Sequence, residues 1–199
     1  ISARMALDIL EYSFPYYFGL GGMRGQALPA KLLKECDLIN IQTEDGHPIP
    51  YLKEVISLLK QRINVEKRTI GLNIELKGDH TGKLTANYIQ EESSIPILVS
   101  SFKHRELFEF REIDKHTPVA PLFHEWDATC FELASDLDAY AINCSSKIIT
   151  QERVEAIKQN NFKVFAYTVN LRNEAKRLQD LGVDGIFSDR PDRMKEWML

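Results

Sequence analysis

Cysteine is scarce in this sequence and has no pattern. Cys36, Cys130 and Cys144 are the only three in 199 residues, with no CxxC pair and no histidine at ligand spacing. An odd, scattered count argues against a disulfide framework and against a structural zinc site. The three read as small buried hydrophobes of a reducing compartment, so a cytoplasmic location is expected. Long apolar runs are missing too. The greasiest stretch, from Phe14 to Leu20, is interrupted by Pro15 and falls far short of the ~20 residues that cross a bilayer. No signal-peptide pattern is present. Positive charge is not in excess: 25 Lys and Arg face 29 Asp and Glu, a net charge of −4 with no basic stripe. That excludes the electrostatic footprint of a nucleic-acid partner. No glycine fingerprint of the dinucleotide-binding type follows any strand-like segment.

What is present is a regular alternation from residue 70 onward. Short runs rich in Val, Ile and Phe stand at Ile70–Leu76, Ile95–Ser101, Val119–Phe123, Ala139–Asn143, Lys163–Val169 and Gly185–Phe187. Pro, Gly, Asn or Asp bound them, as expected of strands. Between them lie helical patterns. In Gln151–Asn160, Val154, Ile157 and Lys158 recur at helical spacing behind Thr150 as N-cap. In Leu171–Leu181, the residues Leu171, Ala175, Leu178 and Leu181 form one stripe, and Gly182 is a natural stop. A further helix is expected to begin at Ile49-Pro50 and run through Val55, Leu58 and Leu59.

One strand–helix unit every ~20–26 residues is the rhythm of parallel strands joined by right-handed helical crossovers. No linker breaks it, so a single domain over residues 1–199 is expected. Six clear strands leave an eight-stranded barrel two short. Tyr16–Leu20 and Leu38–Gln42 are the candidates to fill the gap, and open strand edges make a homo-oligomer an alternative way to close it.

In a barrel, chemistry sits at the carboxyl ends of the strands. Those ends read Glu75 and Lys77, then Ser100-Ser101-Phe102, His124, Asn143, Tyr167 and Asn170, and Asp189. Glu75 and Lys77 are two residues apart inside Asn73-Ile74-Glu75-Leu76-Lys77, so on a strand they share a face. Two readings stay open for them: an ion pair at a strand end, or a site in which Glu serves a cation and Lys an anionic substrate. His80, His104 and His116 are expected in surface or capping roles, and His47 lies in a turn-like stretch. His124 is the one histidine near the rim; for it, too, an ordinary structural role is expected.

Several motifs together resemble the glycerophosphodiester phosphodiesterase family. The segment Tyr167-Thr168-Val169-Asn170 and the later Gly182-Val183-Asp184-Gly185-Ile186-Phe187-Ser188-Asp189-Arg190-Pro191 are similar to its last two strands. Ile49-Pro50-Tyr51-Leu52-Lys53-Glu54-Val55 resembles a helix start of the family, Asn73-Ile74-Glu75-Leu76-Lys77 one of its strands, and Ser100-Ser101-Phe102 a strand end. The match runs over residues 46–195, with 1–45 atypical or shortened. It implies a TIM-type (β/α) barrel, incomplete or atypical at its first two strands. It implies hydrolysis of glycerophosphodiesters to an alcohol and glycerol 3-phosphate with a divalent cation, Mg or Ca. Glu75 then corresponds to a metal ligand, Lys77 to the catalytic lysine beside the scissile phosphate, and Phe102 and Tyr167 to pocket residues that bind substrate. Tyr167 stands where the family usually has tryptophan.

The sequence departs from the family at its start. The His-Arg-Gly strand, the Glu-x-Asp strand and the later His-Asp are not found in residues 1–69; Met23-Arg24-Gly25 lacks the histidine and Ile39-Asn40-Ile41-Gln42 carries amides for acids. The chain begins with Ile1 rather than Met. Two expectations follow: an enzyme whose chain is shortened at its start, or a non-catalytic member that binds a phosphate-bearing ligand or a protein partner. A sugar-phosphate lyase or isomerase rests on fold rhythm alone.

Overall fold

The structure, a computed structural model, describes residues 17–19, 51–66, 70–90 and 95–197. Over these residues strands and helices alternate: β1 (Tyr17–Gly19), α1 (Leu52–Glu66), β2 (Gly71–Glu75), α2 (Thr81–Ile89), β3 (Ile97–Ser101), α3 (His104–Ile113), β4 (Val119–Phe123), α4 (Thr129–Asp136), β5 (Ala141–Ser145), α5 (Gln151–Gln159), β6 (Lys163–Tyr167), α6 (Arg172–Asp180), β7 (Gly185–Ile186) and α7 (Pro191–Trp197). A single 3-10 turn, Ser146–Ile148, follows β5. The strands form one sheet in chain order, β1 to β7, each parallel to its neighbours. This is the TIM-type α/β fold. β1 falls inside the segment Tyr16–Leu20 expected to supply a strand; Leu38–Gln42 lies outside the described residues.

The two faces of the sheet bury different things. The larger apolar cluster joins outward strand residues such as Leu72, Val99, Val119, Ile142 and Val164 to helix residues such as Ile56, Ala86, Phe110, Ile157 and Leu178. The smaller cluster contains strand residues only: Leu98, Ala120, Ala141 and Phe165, with Phe187 against them. That is the inner face. Paired residues of parallel strands share a face, and every second residue returns to it. Asn73 pairs with Leu98, and Asn143 with Phe165, so Asn73, Glu75, Ser100, Leu122, Asn143 and Tyr167 belong to the inner side. Gly185 sits there in register with Phe165, whose ring would lie 2.9 Å from an added Cβ. The missing side chain is what lets the ring fill the space.

Helix ends follow a shared design. After α6, Gly182 adopts φ 78°, its N–H donates to the Gln179 carbonyl and the Val183 N–H to Leu178. Asp138 after α4 and Asn161 after α5 take the same left-handed turn, with matching bonds from Ala139 to Ala134 and from Phe162 to Ile157. Orphan carbonyls are satisfied and the chain is turned back toward the next strand. Thr150 caps α5 as expected, its hydroxyl accepting from the Arg153 N–H at 3.3 Å.

Two helix expectations need correction. Lys158 is not part of the buried stripe of α5, which is carried by Val154 and Ile157; its ammonium reaches the Gly182 carbonyl instead. Leu171 is 61% exposed at the N-cap of α6, whose buried face is Ala175 and Leu178. In both cases the residue lies one step beyond where the helix still faces the sheet. No helix among the described residues is long and apolar enough to cross a membrane.

Candidate active site at the carboxyl ends of the strands

Glu75 is the last residue of β2, and Lys77 follows two residues on, after Leu76. The ammonium lies 3.3 Å from the carboxylate, with the lysine side chain 55% exposed and the glutamate 17%. The ion pair anticipated at a strand end is therefore formed. Its exposed partner limits its worth to roughly 0–1 kcal/mol, so stability alone is a thin reason for it. The loop beyond is held from β3: the Ser101 hydroxyl donates to the Leu76 carbonyl at 2.7 Å and accepts from the Lys103 N–H at 2.9 Å. Lys103 then pairs with Asp79 at 2.5 Å. One buried serine thus fixes the ends of β2 and β3 together and with them the places of Lys77 and Phe102.

Phe102, His124 and Tyr167 come together at the ends of β3, β4 and β6. The Phe102 and His124 rings stack at 4.2 Å and 14°. Tyr167 stands edge-on to both, 5.5 Å from Phe102 and 5.7 Å from His124. Its hydroxyl donates to the Phe123 carbonyl at 2.6 Å and lies 3.4 Å from His124 Nδ1. Burial first, then the neighbouring Cys144 and Glu75, push the phenol well above its ordinary pKa, so it stays protonated.

Not every residue read as rim belongs to it. Asn143 and Ser100 are fully buried, one layer below, because β5 continues to Ser145 and β3 to Ser101. With Asn73 they carry buried polar atoms that no group among the described residues satisfies. Asn170 and Asp189 are joined to each other: the Asn170 amide donates to the Asp189 carboxylate at 2.9 Å and accepts from Ser188 and from the Asp189 N–H. That clasp, between the two segments that drew the family resemblance, is structural.

The histidines also sort differently from expectation. His80 and His116 are exposed, as anticipated. His104 is half-buried, with Nε2 3.0 Å from the Leu122 carbonyl and its ring against Phe123, so it anchors α3 to β4 instead of lying on the surface. His124 is in the aromatic group of the rim, where a plain structural role was expected. The signal available for it was position: it is two residues past inward-facing Leu122. His47 lies outside the described residues, as does Cys36. Cys130 and Cys144 are buried and free, the latter pushed up to about 12 by burial.

Three comparisons bear on this arrangement. A family model described as glycerophosphoryl diester phosphodiesterase matches residues 22–193, beginning well ahead of residue 46. A glycerophosphodiester phosphodiesterase of Caldanaerobacter subterraneus subsp. tengcongensis is 27% identical over 152 residues, 75% of this chain and 61% of that protein. One from Bacillus altitudinis is 32% identical over 157 residues, 73% of this chain and 60% of that protein. The chain thus spans about six tenths of the length of these relatives. Among solved structures, an Oleispira antarctica phosphodiesterase in complex with its product sn-glycerol-3-phosphate superposes with a TM-score of 0.67 at 24% identity, covering 76% of this chain and 62% of that one, a likeness of fold.

Proposed function

The chain belongs to the glycerophosphoryl diester phosphodiesterase family, and from that premise we propose that it hydrolyses a glycerophosphodiester to an alcohol and glycerol 3-phosphate with the help of a divalent cation. The observation that carries the proposal is the placement of Glu75 and Lys77, and of Phe102 and Tyr167, at the carboxyl ends of strands in one parallel sheet. Lys77, with more than half of its side chain in solvent, neutralises charge on the transferring phosphoryl group. Phe102 and Tyr167 offer apolar ring surface to the carbon skeleton of the substrate. The Tyr167 phenol is held protonated and fixed by Phe123, so its position does not depend on ligand.

A cation fits this end in part. Mg²⁺ and Ca²⁺ take oxygen ligands, and Glu75 offers one carboxylate. Among the described residues no cluster of three His, Cys, Asp or Glu forms around it. Glu75 would hold the ion with oxygens of the substrate, of water and of residues outside those described; when bound, the ion polarises the phosphoryl oxygens.

The single carboxylate also supports a second reading, a family member that binds a phosphate-bearing ligand without turnover. One assay separates them. The chain is incubated with glycerophosphocholine and Mg²⁺ or Ca²⁺, and glycerol 3-phosphate is measured. Release that chelator and Glu75→Gln both abolish supports the enzyme. Binding of glycerol 3-phosphate by calorimetry without any release refutes turnover and supports the second reading.

A further inference from the structure

Four buried side-chain atoms among the described residues have no hydrogen-bond partner there: Asn73 Oδ1, Ser100 Oγ, and both Nδ2 and Oδ1 of Asn143. Their residues are 3%, 1% and 0% exposed. All four atoms belong to the inner face of the sheet, where Asn73 pairs with Leu98, Ser100 with Glu75, and Asn143 with Phe165. Among the described residues the helix-facing side has no such atom. Burying a polar group without a partner is costly, and a cost repeated on one face needs a cause. The interior of a (β/α) barrel is ordinarily filled by bulky branched side chains. Here small ones stand beside the polar positions: Ala120 is in register with Ser100, and Ala141 lies two residues before Asn143 on the same face. Small side chains leave room, and the open polar atoms supply partners. Together these are the conditions for enclosed water.

Glu75 gives that water a task. Ser100 is its lateral neighbour, and Asn73 stands one layer deeper on the same face of β2. With strands about 4.8 Å apart and a two-residue step of about 6.6 Å, Asn73 and Ser100 are diagonal neighbours about 8 Å apart at the backbone. One water spans such a gap. Among the described residues only Lys77 bonds to the Glu75 carboxylate, at Oε1, 3.3 Å away. We propose that Asn73, Ser100 and Asn143 hold enclosed water beneath the rim, and that Asn73 and Ser100 position Glu75 through it. The hydrogen-bond roles close. The Ser100 hydroxyl donates to the water oxygen, and the two water protons go to Asn73 Oδ1 and Glu75 Oε2. Asn143 has a donor and an acceptor open, and water matches both. Glu75 is thus steered by Lys77 on the solvent side and by water from within. Asn73 and Ser100 are positioning residues and do not meet the substrate. Their service to the site rests on the hydrolytic reading above; the water itself does not.

A crystal structure of the full wild-type chain tests the water directly. Ordered water within hydrogen-bond distance of Asn73 Oδ1, Ser100 Oγ and the Glu75 carboxylate is the expected result. A dry interior, or protein side chains seated on those atoms, overturns the proposal. This measurement needs no variant, so it decides even where a substitution fails to fold. The positioning role is read from the carboxyl-carbon NMR signal of Glu75 at fixed neutral pH. Ser100→Ala removes the donor to the water and is expected to shift that signal. Ser100→Thr, which keeps a hydroxyl, is expected to return it toward the wild-type position. An unmoved signal in Ser100→Ala overturns the positioning role. Release of glycerol 3-phosphate from glycerophosphocholine is followed in parallel. Turnover over a dry interior overturns this inference and leaves the hydrolytic reading standing. Water in place without turnover upholds the enclosed water and removes that reading.

Discussion

Lys77 has little to do for the fold: more than half of its side chain is in solvent, and its pairing with Glu75 is of the weak exposed kind. Its removal should therefore appear in binding and not in stability. Lys77→Gln is expected to raise the dissociation constant for glycerol 3-phosphate about 10- to 100-fold, the worth of a charge-assisted hydrogen bond, with the melting temperature unchanged. Calorimetry and a thermal melt check both halves. Glu106 is the opposite case. Only 3% exposed, its carboxylate accepts from the Gly82 N–H at 2.9 Å and the His80 N–H at 3.0 Å, and from the Thr81 hydroxyl at 3.3 Å. Burial alone would raise its pKa; these donors outweigh burial and hold it below the usual carboxylate range. A depressed folded-state pKa stabilises above the unfolded value of about 4.3, and the gain is lost as pH falls through the folded value. Glu106→Gln should cost roughly 1–3 kcal/mol at pH 7 and flatten the acid limb of the stability curve. Denaturant melts between neutral pH and pH 2 measure it.

The same contact shapes its two elements. α2 and α3 approach so closely that a Cβ on Gly82 would lie 2.1 Å from the Glu106 carbonyl oxygen, a backbone atom that cannot swing away. Gly82→Ala should force the helices apart at a cost of about 1–3 kcal/mol, read as a fall in denaturation midpoint at constant slope. Helix ends allow a change in the other direction. Asn161 occupies the left-handed position that Gly182 fills after α6. Asn161→Gly is expected to stabilise the chain by up to about 1 kcal/mol, seen as a raised melting temperature. The elements themselves were legible before any coordinates. Five of the six strands fall within the runs marked by Val, Ile and Phe, β5 lies two residues further on than its run Ala139–Asn143, and the Thr150 cap and Gly182 stop hold, because these are local signals. The misplaced residues, Lys158 and Leu171, sit at helix margins, where spacing continues but the neighbouring sheet does not.

At the scale of the molecule, burial of the described strands is most complete in the middle of the sheet. β3 and β4 are buried along their whole length, with a paired strand on each side, whereas β7 spans two half-buried residues. Native-state hydrogen exchange should therefore be slowest in β3, β4 and β5 and distinctly faster in β7; comparable rates in β7 and β4 would contradict this. The chain order of the sheet also explains why ends of strands far apart in sequence form one site: parallel strands place all their carboxyl ends on one side.

The sequence by itself determined the alternating strand–helix rhythm, the family, and the sharing of a face by Glu75 and Lys77, since periodicity and motif spacing are properties of neighbours along the chain. Tertiary structure decided the rest. Asn143 and Ser100 proved buried because strand length, not residue polarity, sets where a rim begins. Asn170 and Asp189 proved to be each other's partners. His124 gained a hydrogen-bonding neighbour in Tyr167 and its ring plane from Phe102, residues 43 and 22 positions away. A hydrogen bond between such distant positions leaves no periodic trace in a sequence; it exists only once the strands lie side by side.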